Sequence, residues 1–165
     1  MIKQTQNGSR DAFELLIEPY VKILFNYISY RVNDASDAND IIQETMLSIW
    51  LSIKNYEYVS SFKTWVFSIA RRRLADFYRK SKKHDSLLLS DFENVLVKDN
   101  LNESIDRIDI GNALSKLSDN ERELLYLIFQ AQLSYNEISI VLHIPVGTIK
   151  SRMSRIKSKL KILLN

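Results

Sequence analysis

Only three glycines and two prolines interrupt this chain of 165 residues. A β-rich fold of that length needs many tight turns, and tight turns draw on Gly and Pro. Strands alternating with helices are hard to place, and no internal repeat is visible. The chain is therefore predicted to be all-α. Apolar residues make up 45%, with eight tyrosines and seven phenylalanines, enough to fill packed cores.

Helical spacing of apolar residues divides the chain into two blocks. In the first, Ser9 caps a helix whose apolar face includes Phe13, Leu16, Ile17, Tyr20, Leu24 and Tyr27. After a polar break at 32–36, Asp37 opens a second helix with Ile41, Ile42, Thr45, Ile49 and Trp50 at helical spacing. A polar and aromatic loop, 55–61, leads into a third helix over 62–80. In the second block, helices are expected over 108–117, 119–130, 134–142 and 145–164. Between the blocks, scattered acids (Asp85, Asp91, Glu93, Asp99, Glu103) show no sustained period. The expected organisation is two small helical domains, 1–82 and 108–165, joined by a flexible linker over 83–107.

The chain has no cysteine, which excludes disulfides, thiolate metal sites and a cysteine nucleophile and fits a reducing compartment. His84 and His143 are far apart and have no acid–base or ligand constellation nearby, so no metal, cofactor or catalytic residue is implied. No apolar run approaches the ~20 residues that span a bilayer, and the first residues lack the apolar stretch of a signal peptide. Cytoplasmic residence without stable membrane insertion is expected.

Net charge is only +3, but the cations are clustered. Residues 71–83 carry Arg71, Arg72, Arg73, Arg79, Lys80, Lys82 and Lys83 against the single acid Asp76. The last twenty residues carry Lys150, Arg152, Arg155, Lys157, Lys159 and Lys161 and no acid. Two separated basic patches suit two contacts on a polyanion; two solvated helix faces are the plainer reading.

The C-terminal patch lies on a recognisable frame. Ser134-Tyr135-Asn136-Glu137 has the spacing of a capping box, and Pro145 presets φ at the start of the next helix. On that helix Ile149, Met153, Ile156, Leu160 and Leu163 form one stripe. Gly147, Lys150, Ser151, Ser154, Arg155 and Ser158 form the opposite one. Small hydroxyl residues alternating with long donors suit close approach to a major groove. Gly147 and Thr148 sit at the helix start, where free amides favour a phosphate. The pattern is a helix-turn-helix.

In the first block, Asp37, Asp40 and Glu44 share a helical face with Gln43 beside it. That face suits a basic protein partner, although acids near a helix N-terminus also complement its dipole. On the third helix, Phe62, Trp65, Val66, Ile69, Ala70, Leu74 and Phe77 make a broad apolar side. Thr64, Ser68, Arg71, Arg72, Ala75 and Arg79 make a basic stripe suited to tracking phosphates. Tyr56 and Tyr58, on the preceding loop, either receive unstacked bases or cover the edge of the core. Trp65 is expected in the core.

Three of these segments resemble the sigma-70 family, especially its extracytoplasmic-function branch. The C-terminal pattern is similar to the promoter −35-binding region through Leu133, Ser134, Glu137, Ile138, Pro145, Gly147, Thr148, Lys150, Ser151, Arg152 and Arg155, with Ser139 where Ala is usual. Asp37-Ala38-Asn39-Asp40-Ile41-Ile42-Gln43-Glu44 resembles the family's polymerase-docking run, with Asn39 in place of Glu. Phe62, Thr64, Trp65, Ile69, Ala70, Arg71, Asp76, Arg79 and Lys80 match the family's −10 helix, with Arg72 in place of Asn. In the family that helix helps to hold a base flipped out of the non-template strand.

The resemblance implies an alternative sigma factor, not itself an enzyme, that binds bacterial core RNA polymerase, reads −10 and −35 elements and promotes DNA opening. The 1–82 domain would be region 2 and the 108–165 domain region 4. Docking on the β′ clamp helices would fall to Asp37, Asp40, Gln43 and Glu44, with the C-terminal domain near the β flap. The −10 contacts would come from Tyr56, Tyr58, Lys63, Thr64, Ser68, Arg71, Arg72, Arg79 and Lys80. The −35 contacts would come from Gly147, Thr148, Lys150, Ser151, Arg152, Ser154 and Arg155. Many relatives are held inactive by an anti-sigma factor, so that partner is implied too. The linker would thread the polymerase channel, its acids mimicking nucleic acid. The alternative is a stand-alone helix-turn-helix regulator.

Overall fold

The computed structural model describes residues 1–81 and 111–164, and every regular element among them is helical. The chain divides at Leu87–Leu88 into two compact units. The expected linker, with its acids, lies outside the described residues.

The N-terminal unit contains α1 (Ile2–Gln6), α2 (Arg10–Ser29), α3 (Ala35–Ser52), a 3-10 turn (Ile53–Asn55) and α4 (Phe62–Ser81). Ser9 caps α2 as expected, its side chain accepting from the Ala12 amide. The start of α3 differs from expectation. Asp34, not Asp37, is the N-cap, and its carboxylate accepts from the amides of Ser36 at 2.7 Å and Asp37 at 3.1 Å. Two aspartates three residues apart both satisfy the capping rule; the extended backbone at Asp34 gives it the role. Helix α1 is a short element that the apolar pattern did not indicate.

Leu24, Tyr27 and Ile28 of α2, Ile49 of α3, and Val66, Phe67 and Ala70 of α4 are fully buried. Each large side chain removed from water contributes about 1.5–3 kcal/mol. Edge-to-face ring pairs bind α2 to its neighbours: Phe13 to Trp50 at 5.1 Å, Tyr20 to Phe62 at 5.6 Å and Tyr27 to Phe67 at 5.4 Å. Buried Thr45 satisfies its hydroxyl by donating to the Ile41 carbonyl at 2.7 Å.

In the C-terminal unit, residues 111–115 are helical and are followed by α5 (Asp119–Phe129), α6 (Tyr135–Leu142) and α7 (Val146–Leu163). Capping boxes start both α5, through Ser118 and Glu121, and α6, through Ser134 and Glu137. His143 ends α6 in the left-handed conformation at φ 53°, and Pro145 is the N-cap of α7 rather than its first helical residue. Ser139 donates to the Ile144 carbonyl at 2.6 Å. The hydroxyl that replaces the usual Ala therefore staples the turn between α6 and α7.

Candidate nucleic-acid interface

Helix α7 presents two distinct faces. Ile149, Met153 and Ile156 are buried, and Leu160 and Leu163 are half-buried. Gly147, Lys150, Ser151, Arg152, Ser154, Arg155 and Ser158 are all exposed, and Thr148 is half-buried. Of the cations on this helix, Lys159 is engaged: its Nζ donates to the Glu121 carboxylate at 3.1 Å. Glu121 also accepts from the Ser118 amide at 2.7 Å. Burial pulls the Glu121 pKa upward, but the Ser118 bonds and Lys159 prevail and hold it below its ordinary value. Its stabilising contribution is present above the ordinary carboxylate range and is lost as pH falls through the lowered value.

Gly147 has no role in the free fold that requires glycine. A Cβ there would meet nothing within 4 Å, and its φ is not in the positive range. Glycine weakens a helix, and nothing in the free fold here compensates for it. Gly147→Ala is expected to stabilise the free protein by up to about 1 kcal/mol while weakening duplex binding. Thermal unfolding and DNA affinity should move in opposite directions; if both improve, Gly147 is not at the contact.

On α4 the buried face is rotated from the expected one. Phe67 is fully buried, whereas Ile69 and Phe77 are only half-buried. The rotation carries Thr64 inward, so its assignment as a DNA contact is corrected. It is fully buried, and its hydroxyl pairs with that of Ser61 at 2.7 Å. Ser61 accepts in turn from the Thr64 amide at 3.2 Å, fixing the first turn of α4. Ser68 and Lys63 are half-buried, with the Ser68 hydroxyl on the Thr64 carbonyl at 2.9 Å. Arg72, Arg79 and Lys80 are exposed and Arg71 is half-buried. Asp76 accepts from Arg79 at 2.6 Å and Arg73 at 3.4 Å, orienting both along the helix.

The loop before α4 splits its two tyrosines. Tyr56 is buried, so its place among the DNA contacts is corrected as well: its ring lies 5.0 Å from Trp65 and 5.8 Å from Phe62, and its hydroxyl donates to the Ser60 carbonyl at 2.6 Å. Burial, then the neighbouring Tyr58 and Tyr20, push its pKa up. Tyr58 is 53% exposed and adopts φ 61°, which is strained for an aromatic residue. Its ring lies 4.8 Å from that of Tyr56. Trp65 is half-buried, not core, so Tyr58, Tyr56, Trp65 and Phe62 form an aromatic cluster open on one side.

On α3, Asp37, Asp40, Gln43 and Glu44 are all exposed. The same stripe continues one and two turns further into Leu47, 57% exposed, and Leu51, 65% exposed. Sequence reasoning missed these leucines. Their i+3 and i+7 spacing from Glu44 was the available signal. Among the described residues no His, Asp or Glu cluster could hold a metal, and no helix is long and apolar enough to cross a membrane.

The family model of sigma-70 region 2 matches residues 16–84, and that of sigma-70 region 4 matches residues 107–160. The ECF RNA polymerase sigma factor SigM of Bacillus subtilis (strain 168) is 30% identical over 154 residues, covering 91% of this chain and 93% of that protein. The ECF RNA polymerase sigma factor SigW of the same organism is 26% identical, covering 97% and 92%. The sigma factor RpoE of Bartonella quintana, solved in complex with the anti-sigma factor NepR, is similar with a TM-score of 0.71 and 26% identity, covering 93% of this chain and 96% of that one. CnrH, solved with the cytosolic domain of CnrY, has a TM-score of 0.69 at 21% identity and speaks for the fold alone.

Proposed function

The chain belongs to the sigma-70 family, in its extracytoplasmic-function branch, and we propose that its two basic helices divide the promoter between them. As a sigma factor it binds core RNA polymerase, directs it to specific promoters and promotes DNA opening. Anti-sigma factors are partners of this family, and one is a partner of this chain. Nucleotide chemistry belongs to the polymerase, and this chain contributes no catalytic group. Its place of action is the cytoplasm.

Within the proposal, residues 1–82 act as region 2 and residues 108–165 as region 4. Helix α7 lies in the −35 major groove. Lys150 and Arg155 donate to guanine edges or phosphates, and Ser151 and Ser154 are small enough to let the helix sit deep. Gly147 and Thr148 bring the α7 N-terminus against a phosphate. Arg152 contacts the backbone beside it. The observation that carries this is the division of α7 over 147–158 into a buried apolar stripe, Ile149, Met153 and Ile156, and an exposed stripe of small and basic residues.

On α4, Arg71, Arg72, Arg79 and Lys80 follow the −10 backbone, with Lys63 and Ser68 flanking. Melting costs base-stacking free energy, and capture of an extruded base offsets part of it. Tyr58 is the exposed ring that supplies a stacking surface beside the Tyr56–Trp65 pair. The acidic face of α3 docks on the β′ clamp helices, and the C-terminal domain sits near the β flap.

Transcription by core polymerase on a randomised promoter library, with and without this protein, tests the reading. Enriched elements near −10 and −35 in new transcripts are the expected result. Folded protein that gives no initiation with competent core, yet binds duplex tightly as a dimer, would shift the function to a stand-alone regulator.

A further inference from the structure

Gln6, the last residue of α1, uses its side-chain amide to donate to two carbonyls, those of Ile53 and Tyr56, each at 3.0 Å. These partners lie 47 and 50 residues away in sequence. Ile53 is the C-cap of α3, and its carbonyl also accepts from the Tyr56 amide at 3.1 Å, closing the 3-10 turn. Tyr56 is the buried anchor of the loop whose exposed ring is Tyr58. The amide therefore bridges the end of α3 and the root of the loop. Helix α1 is held in place by its packing on α2 and the 3-10 turn and by the buried Thr5, whose hydroxyl donates to the Met1 carbonyl at 3.1 Å.

We infer that Gln6 is a positioning residue for promoter opening: it fixes the root of the loop at 56–61 so that Tyr58 is already ordered when the −10 strand arrives. This rests on the reading that the loop receives that strand. A loop that must first be ordered by the DNA loses binding free energy to its own conformational entropy, whereas one held beforehand does not. The two bonds are made by a partly buried side chain, one as a second donor to the Ile53 carbonyl and one to the Tyr56 carbonyl, so losing both matters more than losing an exposed pair.

The test uses the full chain assembled with core polymerase, with 2-aminopurine in the −10 non-template strand reporting opening. Gln6→Met keeps the side-chain length, removes the donor and adds no charge. It is expected to slow opening roughly tenfold, with core affinity, −35 occupancy and salt dependence unchanged. Gln6→Lys restores a donor and is expected to recover most of the rate. Opening by the Met variant at the original rate overturns the inference. So does a parallel loss of core affinity and thermal stability, which would make Gln6 merely structural. A Lys variant as slow as the Met variant overturns the hydrogen-bond role. Replacing residues 57–59 with Gly-Ser-Gly separates the two readings. If that change slows opening and Gln6→Met does not, only the role of Gln6 fails. If it leaves opening unchanged, the loop does not receive the strand.

Discussion

Reversing two charges on α3, Asp40→Lys with Glu44→Lys, is expected to weaken binding to core polymerase by about 2–5 kcal/mol, roughly thirty-fold or more. Both carboxylates are exposed and lie on one stripe of the helix. Neither is the cap of α3, since Asp34 holds that position, and Asp37 remains in the first turn. Lysine is a good helix former, so circular dichroism and the unfolding temperature should change little. The loss should therefore appear in association with the polymerase and not in the fold. It should also depend on salt, because opposed charges steer the encounter and are screened. Leu47 and Leu51 lie further along the stripe, so an apolar contribution insensitive to salt should remain in the double variant. Glu14→Lys with Glu18→Lys, two exposed reversals on α2, is the control for net charge. If the double variant binds core as tightly as the original chain in a pull-down or anisotropy titration, the docking face is elsewhere.

What the sequence disclosed, and what it withheld, follows from the range of the interactions. Helix α7 was readable residue by residue over 147–158 because its apolar stripe there is narrow and its other face carries only small or charged groups. Helix α4 was readable as a helix but not in its rotation. Apolar residues at 62, 65, 66, 67, 69, 70, 74 and 77 surround most of its circumference. A helical wheel then leaves the inward direction open, and the Tyr27 ring packed on Phe67 decides it. Thr64 goes in with Phe67, its hydroxyl satisfied by Ser61, which makes burial of a polar residue tolerable. Helix α1 left no periodic signal because five residues cannot define a face. What holds it are Thr5 and the bonds of Gln6 to Ile53 and Tyr56, and no local pattern reveals bonds across that distance. The division of labour between Tyr56 and Tyr58 was undecidable for the same reason. Both are aromatic residues on one polar loop, and only the approach of Trp65 and Phe62 makes one of them core.

The second large effect is expected at Arg155. Arg155→Ala should reduce −35-dependent affinity of the holoenzyme by about 1–3 kcal/mol and relax base preference at the position it reads. The neighbouring cations need not behave alike. Lys159, one turn on, is paired with Glu121 of α5, so its loss should lower stability slightly, by about 1 kcal/mol or less, and leave base preference alone. Lys157, exposed and two turns beyond Lys150 on the same side of the helix, stands toward the C-terminal half of α7, past the N-terminal turns that reach base edges, and is placed for backbone charge alone. Lys157→Ala should therefore weaken all promoters to a similar, smaller degree and lower the salt slope. Arg155 is exposed and alanine favours helix more than arginine does, so the folded chain should be no less stable after the change. A fall in promoter affinity thus cannot be assigned to unfolding. The measurement is initiation across single-base variants of the −35 element with the −10 element held constant. Equal loss at every variant would reduce Arg155 to a phosphate contact, and no loss at any of them would remove Arg155 from the −35 contact.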